Sequence, residues 1–299
     1  MNLASTSNSS RLMQFLLFTL VLAALFYRTL LDLVRLSWNS DLYSHLVVIP
    51  VVTGILLYGK RDVISSRGES SARVAAVLAG VTLAVYFLVK QTGILDDPVE
   101  MLSAKSLMLV VLWISGFLLF YGVASFKAAQ FPLLFMLFAV PVPEPILDPI
   151  IIFLQRGSAE LTSLLFWMLG VPFLRDGMVF RLPGQAIEIA KECSGIRSSL
   201  ALMLTTLLAG YLNLRSNTHR ILLTAIAIPL AILKNGIRIT ALTILAVRVD
   251  PGFLTGRLHS EGGVVFFVIA LLLLGGALRL LQRLEDAPAK PKIPVTMPA

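Results

Sequence analysis

The sequence predicts an all-α, polytopic transmembrane helical bundle of about eight spans, and three observations support this fold class. Of the 299 residues, 57% are hydrophobic and only 14% are charged, whereas soluble domains carry roughly 25% charged residues. The charged residues cluster between long apolar runs, as a bilayer requires. The net charge of +8 is spread over loops and a tail, which excludes a compact basic domain and argues against nucleic acid as a partner.

Eight apolar runs approach the roughly 20 residues that a span requires. A ninth segment, 145–170, is apolar but interrupted by Asp148, Arg156 and Glu160, so it either crosses the membrane or lies in its interface. Eight spans place both termini in the cytoplasm with a modest excess of Lys and Arg inside. The eight runs lie near residues 12–31, 42–58, 74–89, 106–126, 128–142, 195–213, 219–247 and 262–280.

The run organisation predicts one transmembrane domain over residues 1–284 and a disordered, Pro- and Lys-rich tail over residues 285–299. Residues 171–192 contain Gly and Pro breaks and rough alternation of polar and apolar residues. This pattern predicts a short hairpin-like or interfacial segment ahead of Cys193. Because two predicted spans separate Cys193 from the loop at 248–261, both are expected on the same face of the membrane.

Cys193 is the chain's single cysteine, and it precedes a long apolar helix. Free N–H groups and the macrodipole at a helix N-terminus favour an anion, and the thiolate is the reactive form of cysteine. Arg197, one turn along, adds positive charge, whereas Glu192 opposes it unless the two pair. Position alone favours a small buried apolar cysteine, which is common in membrane helices.

Lys234 and Arg238 form a second cluster inside the run at 221–247, at i, i+4 spacing on one helix face. A cation at the bilayer centre costs roughly 2.5–3.5 kcal/mol, so both must face protein, water or an anion. For Lys234 we expect a structural pairing with an acidic residue or snorkelling to the interface. For Arg238 we expect a function, with the neighbouring Asn235 as a supporting residue.

His259 directly precedes the last predicted span and is a natural proton donor and acceptor near neutral pH. A lone loop histidine is often a solvated bystander, so its predicted role depends on sharing a face with Cys193. Tyr43 and His45 lie at the mouth of the second run. They either line a substrate entrance or act as interfacial anchors.

Together these residues suit acyl transfer through a thioester. Cys193 would attack a peptide carbonyl, and His259 would take or return the proton. Arg238 would either stabilise the oxyanion or hold the thiolate and substrate in register. The HExxH and CxxC metal motifs are absent from the sequence, and we expect no metal or other cofactor.

At these residues the chain resembles the exosortase/archaeosortase family of polytopic membrane cysteine transpeptidases. Tyr43-Ser44-His45 is similar to a family segment usually read as Ser-His-Gly, with Leu46 in place of the glycine. Archaeal relatives place arginine at the third catalytic position, so His259 favours the bacterial branch. The main motifs are Glu192-Cys193-Ser194-Gly195-Ile196-Arg197, Asn235-Gly236-Ile237-Arg238 and His259.

The resemblance implies a site of Cys193, Arg238 and His259 on the periplasmic face of the cell inner membrane. Its substrates would be exported proteins with C-terminal sorting tails, each comprising a signature such as Pro-Glu-Pro, a transmembrane stretch and a basic cluster. The acyl-enzyme would pass to an amine, another nucleophile or water. The internal Pro-Glu-Pro at 143–145 is expected to be a helix-breaking loop.

A transporter is the alternative function. It would use Lys234 and Arg238 as an anion-binding pair, with discontinuous helices near Pro229 and Gly236. This alternative leaves Cys193 and His259 without a role.

Overall fold

The computed structural model describes residues 3–66, 69–189, 195–254 and 263–286, and it confirms the all-α polytopic fold class. Short 3-10 turns occupy Asp41–Tyr43, Met136–Ala139 and Pro251–Leu254. The described α-helices are α1 (Leu3–Leu25), α2 (Tyr27–Asn39), α3 (Val48–Gly59), α4 (Arg61–Ser66), α5 (Ala72–Gln91), α6 (Pro98–Ala128), α7 (Gln130–Phe135), α8 (Glu144–Met168), α9 (Ile196–Asn213), α10 (Asn217–Arg248) and α11 (Gly263–Asp286).

Within the described residues, five segments are long and apolar enough to cross a membrane, and the number rises to seven if each of two bent helix pairs forms one span. The bent pairs are Ser9–Leu25 with Tyr27–Asn39, at 76°, and Gln130–Ala139 with Glu144–Met168, at 94°. The five segments are Asp41–Gly59, Ala72–Gln91, Pro98–Ala128, Asn217–Arg248 and Gly263–Asp286.

Five to seven candidates are fewer than the eight predicted spans, and the predicted run at 128–142 explains part of the difference. That run forms only the six-residue α7 and a 3-10 turn before the chain bends into α8. The predicted run at 195–213 forms α9, which is not among the candidates. The ambiguous segment at 145–170 is a helix, and the Pro-Glu-Pro at 143–145 lies at its start, where proline is well tolerated.

The chain divides into two compact units, Met1–Asp148 and Pro149–Ala299. In the first unit, α1, α4 and α5 pack against α6, and α3 packs against α7. Aromatic side chains hold α1 to α6: the ring of Phe15 lies 5.5 Å from Trp113 and 5.7 Å from Phe117, and Phe117 stacks on Tyr121 at 4.9 Å. Aromatic pairs favour edge-to-face or offset-stacked arrangements, and here Phe15 meets Trp113 at a tilt and Phe117 edge-on, whereas Phe117 and Tyr121 are stacked.

The course of α6 is interrupted at Gly122, which has φ +75° and ψ 176°. A Cβ on this residue would lie 1.6 Å from the carbonyl oxygen of Glu69. The backbone N–H of Val123 donates to the Ser71 hydroxyl across 3.3 Å. The segment at 69–71 therefore passes directly over the break in α6, and only glycine leaves room for it.

In the second unit, the predicted hairpin-like segment ahead of Cys193 is confirmed and contains two consecutive hairpins. Strands β1 (Leu174–Asp176), β2 (Val179–Leu182) and β3 (Gln185–Glu188) form one antiparallel sheet in the order β1-β2-β3. Phe180 pairs with Ile187 in the sheet and packs edge-on against Phe166 of α8. Gln155 of α8 donates from Nε2 to the carbonyl oxygen of Ile189 across 2.9 Å. These contacts anchor the strand that leads towards Cys193.

Helices α9, α10 and α11 pack on one another in the second unit. The carboxylate of Glu285, near the end of α11, accepts hydrogen bonds from the backbone N–H groups of Arg215 and Ser216, at 2.9 and 2.8 Å, and contacts Nδ1 of His219 at 2.9 Å. It thereby satisfies N–H groups at the start of α10 that no helical carbonyl can reach. The end of α11 is in this way fixed to the α9–α10 connection.

Candidate active site

Gly195 is the N-cap residue of α9, the helix that follows Cys193; it is buried and has φ +68°. A Cβ on Gly195 would lie 2.8 Å from the side-chain oxygen Oδ1 of Asn235 on α10. The backbone conformation and this close approach both require glycine. The start of α9 is therefore fitted directly against the middle of α10. Cys193 and Glu192 lie outside the described residues.

The carbonyl oxygen of Gly195 is the acceptor for the whole first turn of α9. The backbone N–H of Ser199 donates to it across 2.9 Å, and the hydroxyls of Ser199 and Ser198 donate across 2.8 and 3.0 Å. Serine hydroxyls that bond to a carbonyl three or four residues earlier satisfy themselves locally. They also leave the oxygen of Ser198 able to accept a further hydrogen bond.

That further hydrogen bond comes from Lys234, whose Nζ donates to Ser198 Oγ. Lys234 is only 6% exposed. Its hydrogen-bond partner among the described residues is therefore a hydroxyl on α9, and not the acidic residue that the sequence led us to expect. Lys234 is held inside the protein and does not snorkel.

Asn235 is 1% exposed, and its amide Nδ2 donates to the hydroxyl of Ser158 on α8 across 3.0 Å. The next residue, Gly236, lies so close to α8 that a Cβ there would be 2.7 Å from Leu161 Cδ2. Three helices thus meet through polar side chains and small residues, the usual means by which helices associate in a bilayer. We call Ser158, Gly195, Ser198, Lys234 and Asn235 the polar junction.

Arg238 is half-buried and lies one helical turn beyond Lys234, on the same face of α10. Arg197, one turn into α9, is exposed. Helix α10 continues for 13 residues beyond Asn235, which corresponds to about 20 Å of helix. The start of α9 is therefore level with the middle of α10.

His259 lies outside the described residues, which resume at Gly263, the first residue of α11. Within the described parts of the chain, no three His, Cys, Asp or Glu side chains gather as they would around a metal ion. The predicted meeting of Cys193, Arg238 and His259 remains a prediction.

Tyr43 and His45 belong to the first unit. Tyr43 is 8% exposed, and its hydroxyl donates to the carbonyl oxygen of Val142 across 3.0 Å. The carbonyl oxygen of His45 accepts from the N–H groups of Val48 and Ile49 at the start of α3. These contacts give Tyr43 a structural role, and the predicted substrate contact of both residues is not tested by them.

Sequence reasoning missed Ser158 and Gln155, both of which lie on the buried face of α8. A usable signal was present for Ser158. Gly157, Ser158 and Ala159 place three small residues within one turn, and such groups often mark close helix contacts in membranes. No comparable signal distinguishes Gln155 from other polar residues in an interrupted apolar run.

Comparison with known proteins identifies the family. The family model described as transmembrane exosortase matches residues 37–276, which is 240 of the 299 residues and includes every residue of the polar junction. No curated protein and no solved structure matches the chain. Members of this family are membrane transpeptidases that process sorting signals, which agrees with the multi-pass helical architecture. The chain belongs to the transmembrane exosortase family.

Proposed function

We propose that this exosortase is a cysteine transpeptidase that cleaves the C-terminal sorting tails of exported proteins through a thioester on Cys193. Family membership supports the class of reaction. The observation that carries the choice of site is the polar junction, because it fixes the middle of α10 against the first turn of the helix that follows Cys193. A reactive group placed there has a rigid support, which catalysis requires.

In the proposed first step, the thiolate sulfur of Cys193 attacks the carbonyl carbon of the scissile peptide bond. A C–S bond forms, and the carbonyl electron pair moves onto oxygen, where the guanidinium of Arg238 stabilises the charge. The oxyanion then collapses and the C–N bond breaks. His259 donates the proton that the leaving amine needs. The product is a thioester between Cys193 and the exported protein.

In the second step, an incoming amine or a water molecule attacks the thioester and gives its proton to His259. The C–S bond breaks, and Cys193 returns to the thiolate. The same imidazole acts as an acid in the first step and as a base in the second, for which a pKa near neutral pH is suited.

We place this site on the outer, periplasmic side of the cell inner membrane, where exported proteins arrive. A tail with its own transmembrane stretch would lie in the bilayer beside the helices. The family match favours this enzyme over the transporter alternative. The hydrogen bond from Lys234 to Ser198 gives Lys234 a structural contact that does not require an anion-binding role.

Mass spectrometry tests the covalent step. Purified enzyme in lipid nanodiscs is incubated with a candidate tail peptide, and the enzyme is digested and mapped. We expect an adduct on Cys193 whose mass is that of the peptide N-terminal to the cut. Cys193→Ala should give neither adduct nor cleavage, with unchanged thermal stability. Full cleavage by Cys193→Ala would end the thioester proposal.

Arg238→Lys tests the oxyanion role, with Arg248→Lys as the matched control. Arg248 is an exposed arginine on the same helix. Loss of a donor to an oxyanion costs about 10²–10³ in kcat, and lysine cannot reproduce the planar fork of a guanidinium. We therefore expect at least a hundredfold loss in Arg238→Lys and less than a twofold change in the control. Near-normal turnover in both would make Arg238 a structural cation.

A further inference from the structure

Lys234 is the one buried cation of α10 that the proposed mechanism does not use. It is 6% exposed in the middle of a candidate span, and an intramembrane charge is costly enough that a functional cause should be sought. Its described hydrogen bond goes to a neutral hydroxyl, Ser198 Oγ. A neutral partner leaves the positive charge of Lys234 uncompensated, so that charge acts on whatever lies nearby.

The hydrogen bond of Lys234 is the first of two consecutive hydrogen bonds that lead to the start of α9. Lys234 Nζ donates to Ser198 Oγ, and Ser198 Oγ donates to the carbonyl oxygen of Gly195 across 3.0 Å. Each donor polarises the next group, which strengthens both bonds. Through these two hydrogen bonds, the Lys234 side chain of α10 holds and polarises the peptide group at the start of α9.

Gly195 is two residues after Cys193. Two residues of fully extended chain span about 7 Å at most, so covalent connection alone keeps the backbone of Cys193 close to this peptide group. The close fit of Gly195 against Asn235 limits how far the start of α9 can move. A cation linked to Gly195 is thus well placed to influence the cysteine.

Apart from Arg238, the other charged groups near the junction are engaged, exposed or further away along the chain. Arg197 is exposed, and Arg238 is half-buried one turn further along α10. Glu160 of α8 is bound to Arg175 across 2.9 Å. Glu192 and His259 lie outside the described residues. The remaining charged or titratable residues on the described packing elements are Glu144, Asp148, Arg156, Asp176, Arg181, Glu188, Tyr211, His219, Arg220, Arg248, Arg279, Arg283, Glu285 and Asp286.

We propose that Lys234 is a positioning residue for Cys193: through Ser198 and the Gly195 carbonyl it holds the start of α9, and its buried charge favours the thiolate. The assignment rests on the proposed function for its biological meaning. It makes a prediction about the thiol itself, however, that requires no substrate.

The experiment measures alkylation of the full-length protein by iodoacetamide as a function of pH, in nanodiscs. Because Cys193 is the only cysteine in the chain, all alkylation reports this residue. Only the thiolate reacts, so the midpoint of the rate profile measures its ionisation. The variants are Lys234→Met, Lys234→Arg and Ser198→Ala, with Arg248→Met as the matched control for loss of a cation from the same helix.

We expect the midpoint to rise by about one pH unit in Lys234→Met, which makes alkylation at pH 7 about tenfold slower. Lys234→Arg keeps the charge and should restore most of this rate. Ser198→Ala should shift the midpoint in the same direction by less, and Arg248→Met should not shift it. In peptide cleavage, Lys234→Met and Ser198→Ala should lower kcat with little change in KM.

Unchanged alkylation profiles in folded Lys234→Met and Ser198→Ala would overturn the proposal. If Lys234→Met does not fold, Ser198→Ala decides, because it keeps every charge and removes only the link. Failure of the proposed function gives a different result: Cys193→Ala would still cleave the peptide, while the alkylation profiles of the Lys234 variants would still shift.

Discussion

The two units of the chain differ in how their helices are joined by polar groups. In the first unit, one side-chain pair joins the middles of two helices, with Trp113 Nε1 on α6 donating to Thr19 Oγ1 on α1 across 3.2 Å. Other described contacts between elements end on backbone carbonyls: Ser125 Oγ donates to Ile64 O across 2.8 Å, and Lys60 Nζ to Ala128 O across 2.7 Å. Such contacts stabilise helix ends and turns. Between them lies an aromatic cluster, with Phe15 at its centre.

In the second unit, side chains in the middle of helices bond to side chains on other helices. Asn235 reaches Ser158, and Lys234 reaches Ser198. Buried polar side chains that bond to one another fix a single arrangement, because any shift leaves a donor or acceptor unsatisfied. The described part of the first unit therefore relies mainly on aromatic packing and helix-end contacts, whereas in the second unit buried polar pairs fix the middle of α10 against α8 and α9.

The largest expected effect is on the stability of the first unit. Gly122→Ala places a Cβ 1.6 Å from Glu69 O in a backbone conformation that almost only glycine adopts. We expect a loss of more than about 3 kcal/mol, combining backbone strain with the clash, and hence little folded protein in detergent. Gly80→Ala on α5, where nothing lies within 4 Å, is the control and should melt at or slightly above the wild-type temperature, because alanine favours a helix. A stable Gly122→Ala would show that the segment at 69–71 moves freely.

Gly195→Ala introduces backbone strain of the same kind in the second unit, at the polar junction. Its Cβ would lie 2.8 Å from Asn235 Oδ1 at φ +68°. The strain costs about 1–3 kcal/mol, which the unit should survive, but the start of α9 must move away from α10. We expect a folded protein with at least tenfold lower kcat, measured by peptide cleavage alongside thermal melting. Full activity in this variant would show that the close Gly195–Asn235 contact is not needed for peptide cleavage.

Particular residues show how far the sequence could predict this structure. The apolar runs in the sequence predicted the positions of α5 and α10, because a helix that crosses a bilayer needs about 20 mostly apolar residues. The alternation before Cys193 located the sheet. The bend after Leu25 was not predicted, since no break in hydrophobicity there is long enough to end a run. The break before Glu144 was expected, because the Pro-Glu-Pro at 143–145 interrupts the apolar pattern.

The sequence predicted several residues of the candidate active site, whereas the hydrogen bonds between them are seen only in the structure. Asn235 and Lys234 were noted in the sequence, but their partners Ser158 and Ser198 lie 77 and 36 residues away. Pairings over such separations depend on tertiary packing and on the level at which two helices meet. No local pattern in a single sequence predicts which residues on two distant helices will face each other.

Ser158→Ala tests whether the junction depends on each of its hydrogen bonds. Polar bonds between helices in membranes are worth about 0.6 kcal/mol on average and up to about 1.7. We expect a loss of about 1 kcal/mol, because Asn235 is left buried without its described acceptor. A double-mutant cycle with Asn235→Ala should give a coupling energy of similar size. Additive losses would mean that the two side chains act independently.

The smallest expected effect is that of Tyr43→Phe in the first unit. The hydroxyl donates to Val142 O across 3.0 Å, and a hydrogen bond of this kind contributes about 0.5–1.5 kcal/mol. We expect a fall in melting temperature of a few degrees with KM for the tail peptide unchanged. Tyr58→Phe is the control, because Tyr58 is 69% exposed and should melt like the wild type. A raised KM in Tyr43→Phe at unchanged stability would instead assign this hydroxyl to substrate binding and give the first unit a part in recognition.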